Sequence, residues 1–165
     1  MAYILALLFA ALMVGVDQLT KYLVLQNLDL YQSVPVIDKV LSFTYIQNKG
    51  AVFGVMQEMR WLLISFSAVI LVVCIGLLIK KSFKSRMMYW ALSLVLSGGI
   101  GNMIDRIFRG YVVDFIDVQL VDFYIFNVAD CCVVVGVFLI FLYFIIDTYK
   151  DYRNGKKASV EESES

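Results

Sequence analysis

Four long apolar runs dominate this chain, and they leave little choice of fold. They cover about residues 2–25, 61–79 ("WLLISFSAVILVVCIGLLI"), 87–104 and 125–146 ("IFNVADCCVVVGVFLIFLYFII"). Each has the roughly 17–25 residues that a helix needs to cross about 30 Å of hydrocarbon. Lipid offers the backbone no hydrogen-bond partner, so a spanning segment closes its own bonds as a helix. Composition agrees: 61% of the 165 residues are hydrophobic and mean hydropathy is +0.81, above the usual soluble domain. The expected fold class is an α-helical integral membrane protein with four transmembrane helices.

Lysine and arginine set the expected orientation. The link "KKSFKSR" between the second and third runs holds Lys80, Lys81, Lys84 and Arg86 without an acid, and the end of the chain holds Lys150, Arg153, Lys156 and Lys157. Both belong in the cytoplasm by the positive-inside rule, which makes the topology N-in/C-in. Segments 29–60 and 105–124 then face outwards. The first run lacks a basic leader and a small-x-small cleavage site, so it is read as a retained helix rather than a signal peptide. Residues 1–150 form the membrane domain; the polar, serine-rich 151–165 is expected to be a disordered cytoplasmic tail.

The outer segments carry strand signals. "VPVIDKVLSFTYIQNKGAVFGV" is rich in β-branched and aromatic residues, with turn signals at Pro35, Asp38-Lys39 and Asn48-Lys49-Gly50. "YVVDFIDVQLVDFYIF" has the same character. A small extracytoplasmic β-sheet is expected.

Several chemistries are excluded. Formal charge sums to zero, so no electrostatic attraction to nucleic acid is implied. There is no histidine, which rules out Ser-His-Asp and Cys-His nucleophiles and removes the commonest zinc ligand. Cys74, Cys131 and Cys132 sit inside apolar runs and read as small buried hydrophobes. Carboxylates remain as the acid–base groups.

Those carboxylates, and the polar residues around them, fall at one depth. Asp17 and Lys21 are four apart, on one face of the first helix and in its outer half. Asn102, Asp105 and Arg106 close the outer end of the third run. Asn127 and Asp130, one turn apart, open the fourth, and Asp114 lies in the outer link. An ionisable residue mid-span costs roughly 2.5–3.5 kcal/mol on insertion scales, so such groups face the bundle interior and mark a site. Bland readings stand beside this: a packing ion pair for Asp17–Lys21, a tie from helix end to sheet for Asp105–Arg106, a turn for Asn48, helix bridging for Asn102 and Asn127, solvated acids for Asp117 and Asp122. Asp130 has no base within its own turn, and an ionised carboxylate at that depth is costly alone. Asp114 and Asp130 are sixteen positions apart, enough for a strand, a turn and a return that unite them. Two carboxylates sharing one proton can activate water and polarise a carbonyl, with no histidine, metal or cofactor.

The blocks "VDQLTK" (Val16–Lys21), "NKGAVFG" (Asn48–Gly54), "GGIGNMIDR" (Gly98–Arg106), "VVDF" (Val112–Phe115) and "FNVAD" (Phe126–Asp130) resemble, in order and spacing, the motifs of lipoprotein signal peptidases, the type II signal peptidases of bacteria. The resemblance runs from Val16 to about Ile146. It implies an aspartic endopeptidase of the bacterial plasma membrane, acting at the outer leaflet. Such an enzyme removes signal peptides from diacylglyceryl-modified prolipoproteins and cuts N-terminal to the lipidated cysteine. It further implies Asp114 and Asp130 as the catalytic pair, with Asp17, Lys21, Asn48, Asn102, Asp105, Arg106 and Asn127 around them. Implied partners are the lipidated signal peptides, the phospholipid bilayer and globomycin-type inhibitors; no cofactor or metal is implied. Alternatives from the residues alone are a proton-coupled transporter using intramembrane Asp and Lys, a non-catalytic scaffold, and an aspartic protease of unlipidated helices.

Overall fold

In the computed structural model, which describes residues 2–50, 59–80, 83, 85–121 and 123–164, four helices run up and down. They are α1 (Ala2–Asn27), α2 (Arg60–Ile79), α3 (Arg86–Phe108) and α4 (Val128–Glu164). All four are long and apolar enough to cross a membrane, α4 over Val128–Asn154. Lys81, Lys84, Asp122 and residues 51–58, the second part of "NKGAVFG", lie outside the described residues. The connections put the α1 and α3 C-termini with the α2 and α4 N-termini at one end, called here the sheet end.

α3 is the central helix. It packs against α1, α2 and α4, and 56% of its most apolar stretch is buried, against 17% for each of the others. That position explains its composition. A helix shielded from lipid by its neighbours can carry a mean hydropathy of 1.3, whereas lipid-facing α2 reaches 3.0. Buried Ser93 and Ser97 return their hydroxyls to their own helix, on Trp90 O at 2.7 Å and Leu94 O at 2.8 Å. Two glycines set the helix spacing. A Cβ on Gly98 would strike the Ala129 carbonyl oxygen, and one on Gly101 would stand 2.5 Å from Asp17 Oδ2. Small residues at these crossings let backbones approach. The apolar core lies towards the other end, around Ala6, Ala10, Leu71, Leu78, Met88, Leu92 and Leu96.

Three strands cover the sheet end: β1 (Ser33–Ile37), β2 (Leu41–Asn48) and β3 (Val112–Val118), antiparallel in the order β1-β2-β3. β1 and β2 join through residues 38–40, with Lys39 left-handed at φ 59° and Val40 N–H on Ile37 O at 3.0 Å. Pro35 is not a turn residue but part of β1. β1 is exposed throughout and lies at the sheet edge, where a missing N–H is tolerated. On its free side β3 meets, among the described residues, the Ile116–Phe126 bridge, with Phe115 N–H also on Phe126 O at 3.0 Å, so the second acidic segment supplies one strand and a short return contact. That bridge delivers the chain to the start of α4.

Candidate active site

Side chains from α1, β2, α3, β3 and α4 meet beneath the sheet in two adjoining groups. The first is ionic. Lys21 is 0% exposed, and its ammonium reaches Asp17 Oδ2 at 2.9 Å, Asp105 Oδ2 at 3.1 Å and Asn102 Oδ1 at 2.9 Å. An ammonium has three donors and no acceptor, so this set uses it fully. Arg109, one turn beyond Asp105, pairs with Asp105 Oδ1 and donates to Gln18 Oε1 at 3.2 Å. The Gln18 amide lies between Asp17 Oδ2 (3.1 Å), the Gly101 carbonyl (3.1 Å) and Asp105 Oδ1 (3.2 Å). Two acids and two bases make the group formally neutral. Its spare acceptors tie elements together: Asp17 Oδ1 takes the Ala129 N–H of α4 at 2.9 Å, and Asp105 Oδ2 takes the Val113 N–H of β3 at 3.1 Å.

The second group is built from asparagines and two carboxyls. Asn127 precedes α4 as its N-cap. Its Oδ1 accepts the Asp130 N–H at 2.9 Å, while Asp130 Oδ2 accepts the Asn127 N–H at 3.2 Å. This is a capping box, with aspartate in place of the usual glutamate or glutamine. The Asn127 amide then donates to Asp114 Oδ1 at 2.6 Å and to Asn102 Oδ1 at 3.2 Å. Asn127 thereby links both carboxyl groups. Asn102 Nδ2 donates to Asp130 Oδ1 at 2.8 Å. Asn48 Nδ2 donates to Asp114 Oδ2 at 2.9 Å, and its own oxygen accepts the Gly50 N–H at 3.0 Å. Asn48 is thus a turn residue and a carboxyl donor at once. Arg106 donates to Gly50 O at 3.2 Å and to Asn102 O at 3.5 Å.

The electrostatic contrast is sharp. Among the described residues every ion pair within 4 Å belongs to the first group; neither Asp114 nor Asp130 has one. Asp114, on β3 and 1% exposed, is pushed up to about 7, first by burial and then by the Asp130 charge, against the amides of Asn48 and Asn127. A carboxyl poised there can hold or release a proton near neutral pH. Among the described residues no three side chains of the usual ligand types stand together to hold a metal.

All nine residues singled out in the sequence enter this network. Asp117 instead takes the Thr44 hydroxyl at 2.7 Å, away from it. Sequence reasoning passed over Gln18, Arg109, Gly98 and Gly101. Gln18 had one usable signal, a second polar side chain beside Asp17 inside an apolar helix.

Residues 9–146 match the family described as Signal peptidase (SPase) II. The chain is 41% identical over 144 residues to a lipoprotein signal peptidase of Brevibacillus brevis, covering 87% of this chain and 97% of that one. Against the lipoprotein signal peptidase of Enterococcus faecalis it is 43% identical over 150 residues, 90% and 93% of the two chains. A bacterial membrane enzyme solved by the in meso method at 2.3 Å superposes with a TM-score of 0.83 at 35% identity, over 87% of this chain and 88% of that one.

Proposed function

The chain belongs to the signal peptidase II family, the lipoprotein signal peptidases that cleave signal peptides from prolipoproteins, and on that premise we propose that Asp114 and Asp130 are its catalytic pair. The enzyme is a multi-pass membrane protease of the aspartic type. The observation that carries the assignment is the single asparagine, Asn127, bonded to both carboxyl groups while, among the described residues, neither has an ion pair. Two acids held together with no ion-pair partner in contact cannot both ionise cheaply, so they share a proton. One accepts a proton from water as the other gives its own to the scissile carbonyl. The resulting gem-diol collapses with return of a proton to the leaving amine. Asn48, Asn102 and Asn127 hold the carboxyls in place. Arg106, whose charge faces Asp130, Asp114 and Asp105, holds Gly50 over the site.

The substrate we assign is a prolipoprotein whose cleavage-site cysteine bears a diacylglyceryl group, cut just N-terminal to that cysteine. Its apolar signal helix enters from the bilayer, and its acyl chains stay in the outer leaflet. The basic link and chain end support N-in/C-in in the bacterial plasma membrane, with the sheet end outside and residues 151–165, expected to be disordered but helical as far as Glu164, a cytoplasmic tail. Globomycin-type cyclic peptides would compete at this site. A transporter would need its charges near the midplane, whereas these gather at one end of the bundle.

The test is cleavage by the purified chain in lipid vesicles without any ion gradient. A diacylated precursor should yield a product beginning at the lipidated cysteine, and the unlipidated precursor should stay whole. Equal cleavage of both would favour a protease of unlipidated helices instead. No cleavage by folded protein would favour a scaffold.

A further inference from the structure

Each of the three asparagines around the carboxyl pair has its carbonyl oxygen pinned by a group that can only donate. Gly50 N–H holds Asn48, Asp130 N–H holds Asn127, and the Lys21 ammonium holds Asn102. Each amide is therefore forced to turn its NH2 towards a carboxyl. The donor count comes out even. Asp114 receives Asn48 and Asn127, and Asp130 receives Asn102 and the Asn127 backbone N–H. Hydrogen-bond number alone cannot decide which acid holds the shared proton.

Charge breaks the tie. Asp130 sits in the first turn of α4, at the positive end of the helix dipole, and its Asn102 donor is backed by the full charge of Lys21. Asp114 lies on a strand, where backbone dipoles nearly cancel, and both its amides are backed only by neutral N–H groups. The Lys21 charge itself faces both acids, so its bias towards Asp130 runs through Asn102; the other charges facing the pair are Asp17 from α1 and Arg106 from α3. Asp17 and Asp105 are held by Lys21 and Arg109, and Arg106 faces both members.

We propose that Lys21 is a positioning residue for catalysis: by locking the Asn102 amide it keeps Asp130 as the resting carboxylate and leaves the shared proton on Asp114. This rests on the catalytic reading above and gives each acid one role. Asp130 takes a proton from water as the water oxygen bonds to the carbonyl carbon, and Asp114 gives its proton to the carbonyl oxygen. The C–N bond then breaks as Asp130 passes its proton to the amine nitrogen. Asp114 recovers one from a gem-diol hydroxyl, which restores the resting pair.

The experiment is the pH profile of cleavage of a diacylated precursor by Lys21→Gln, with KM and kcat separated and thermal unfolding followed in parallel. Because that variant strands Asp17, the charge-balanced Lys21→Gln/Asp17→Asn is measured beside it. Loss of the Lys21 charge should move the acid limb of kcat upwards by about one pH unit and lower kcat at neutral pH about tenfold, with KM within about twofold. An unmoved profile in folded variant, with amplitude alone reduced, overturns the proposal. Independently of folding in those variants, the infrared carbonyl band of the protonated carboxyl at mildly acidic pH should vanish in Asp114→Asn. Its persistence there overturns the assignment too. Near-native turnover by Asp114→Asn or Asp130→Asn would instead overturn the catalytic reading itself.

Discussion

Beneath the sheet lie two pairs of aspartates in almost the same setting, and their partners give them opposite characters. Asp17, Asp105 and Asp114 are 1%, 0% and 1% exposed and Asp130 is half-buried, so burial alone does not separate Asp114 from the first pair. Cations do. Lys21 and Arg109 neutralise the first pair, and the surplus lone pairs fasten α1 to α4 and α3 to β3. The second pair is hydrogen-bonded by amides and a helix terminus, faces Arg106, and has no ion pair among the described residues. In a low-dielectric site a carboxylate with a cation is a structural group, whereas two without one compete for a proton and stay reactive. The lysine that completes the first pair also reaches the second through Asn102, so the two groups are bonded to each other.

The largest effect expected from breaking this contrast is on folding. Asp105→Leu leaves Lys21 and Arg109 facing one aspartate, and loss of one partner from a buried ion pair costs about 3–5 kcal/mol. Thermal unfolding in detergent should show this variant markedly destabilised, with activity falling in step with folded protein. A native-like midpoint would remove the structural role.

Next in size is a pH effect on stability that belongs to the second pair. Asp114 stands at about 7 in the folded chain, raised by burial and Asp130, and an unfolded aspartate is at about 3.9. The folded chain holds the extra proton between these values. Its contribution to stability is therefore complete below about pH 4 and lost as pH rises through about 7, on the order of 4 kcal/mol. Unfolding midpoints measured across that window should fall in the native chain and fall less in Asp114→Asn; parallel slopes would contradict the shift. The smallest effect sharpens the contrast within the site. Asn48→Ala removes one of two Asp114 donors, and steady-state cleavage should show kcat reduced about tenfold with the unfolding midpoint nearly kept. An unchanged kcat would leave Asn48 as a turn residue alone.

How much of this the sequence discloses depends on the range of the interaction. Asp17–Lys21 follows from helical spacing, and the common depth of the polar residues follows from counting along each span. Asn127 and Asp130 declare their spacing, but the capping box becomes visible only once α4 is seen to begin at Val128. What stays hidden is which partner each polar atom takes across the fold. Lys21 meets Asn102 from 81 positions away and Gln18 meets Asp105 from 87, and no local pattern encodes either. Gly98 and Gly101 stand in the sequence only as part of "GGIGNMIDR", and their role, the close passage of Ala129 and Asp17, depends on helices far apart in the chain. Pro35 misleads because a turn residue and an edge-strand residue look alike in one dimension.

The most direct test of the division between the pairs is the cleavage rate of Asp114→Asn and Asp130→Asn, each compared with the native chain at equal folded fraction on a diacylated precursor. Each should be at least about 10³-fold slower while its unfolding midpoint is maintained or raised. Turnover near the native rate in either variant, or loss of the fold in both, would contradict the assignment of chemistry to the pair that has no ion pair among the described residues.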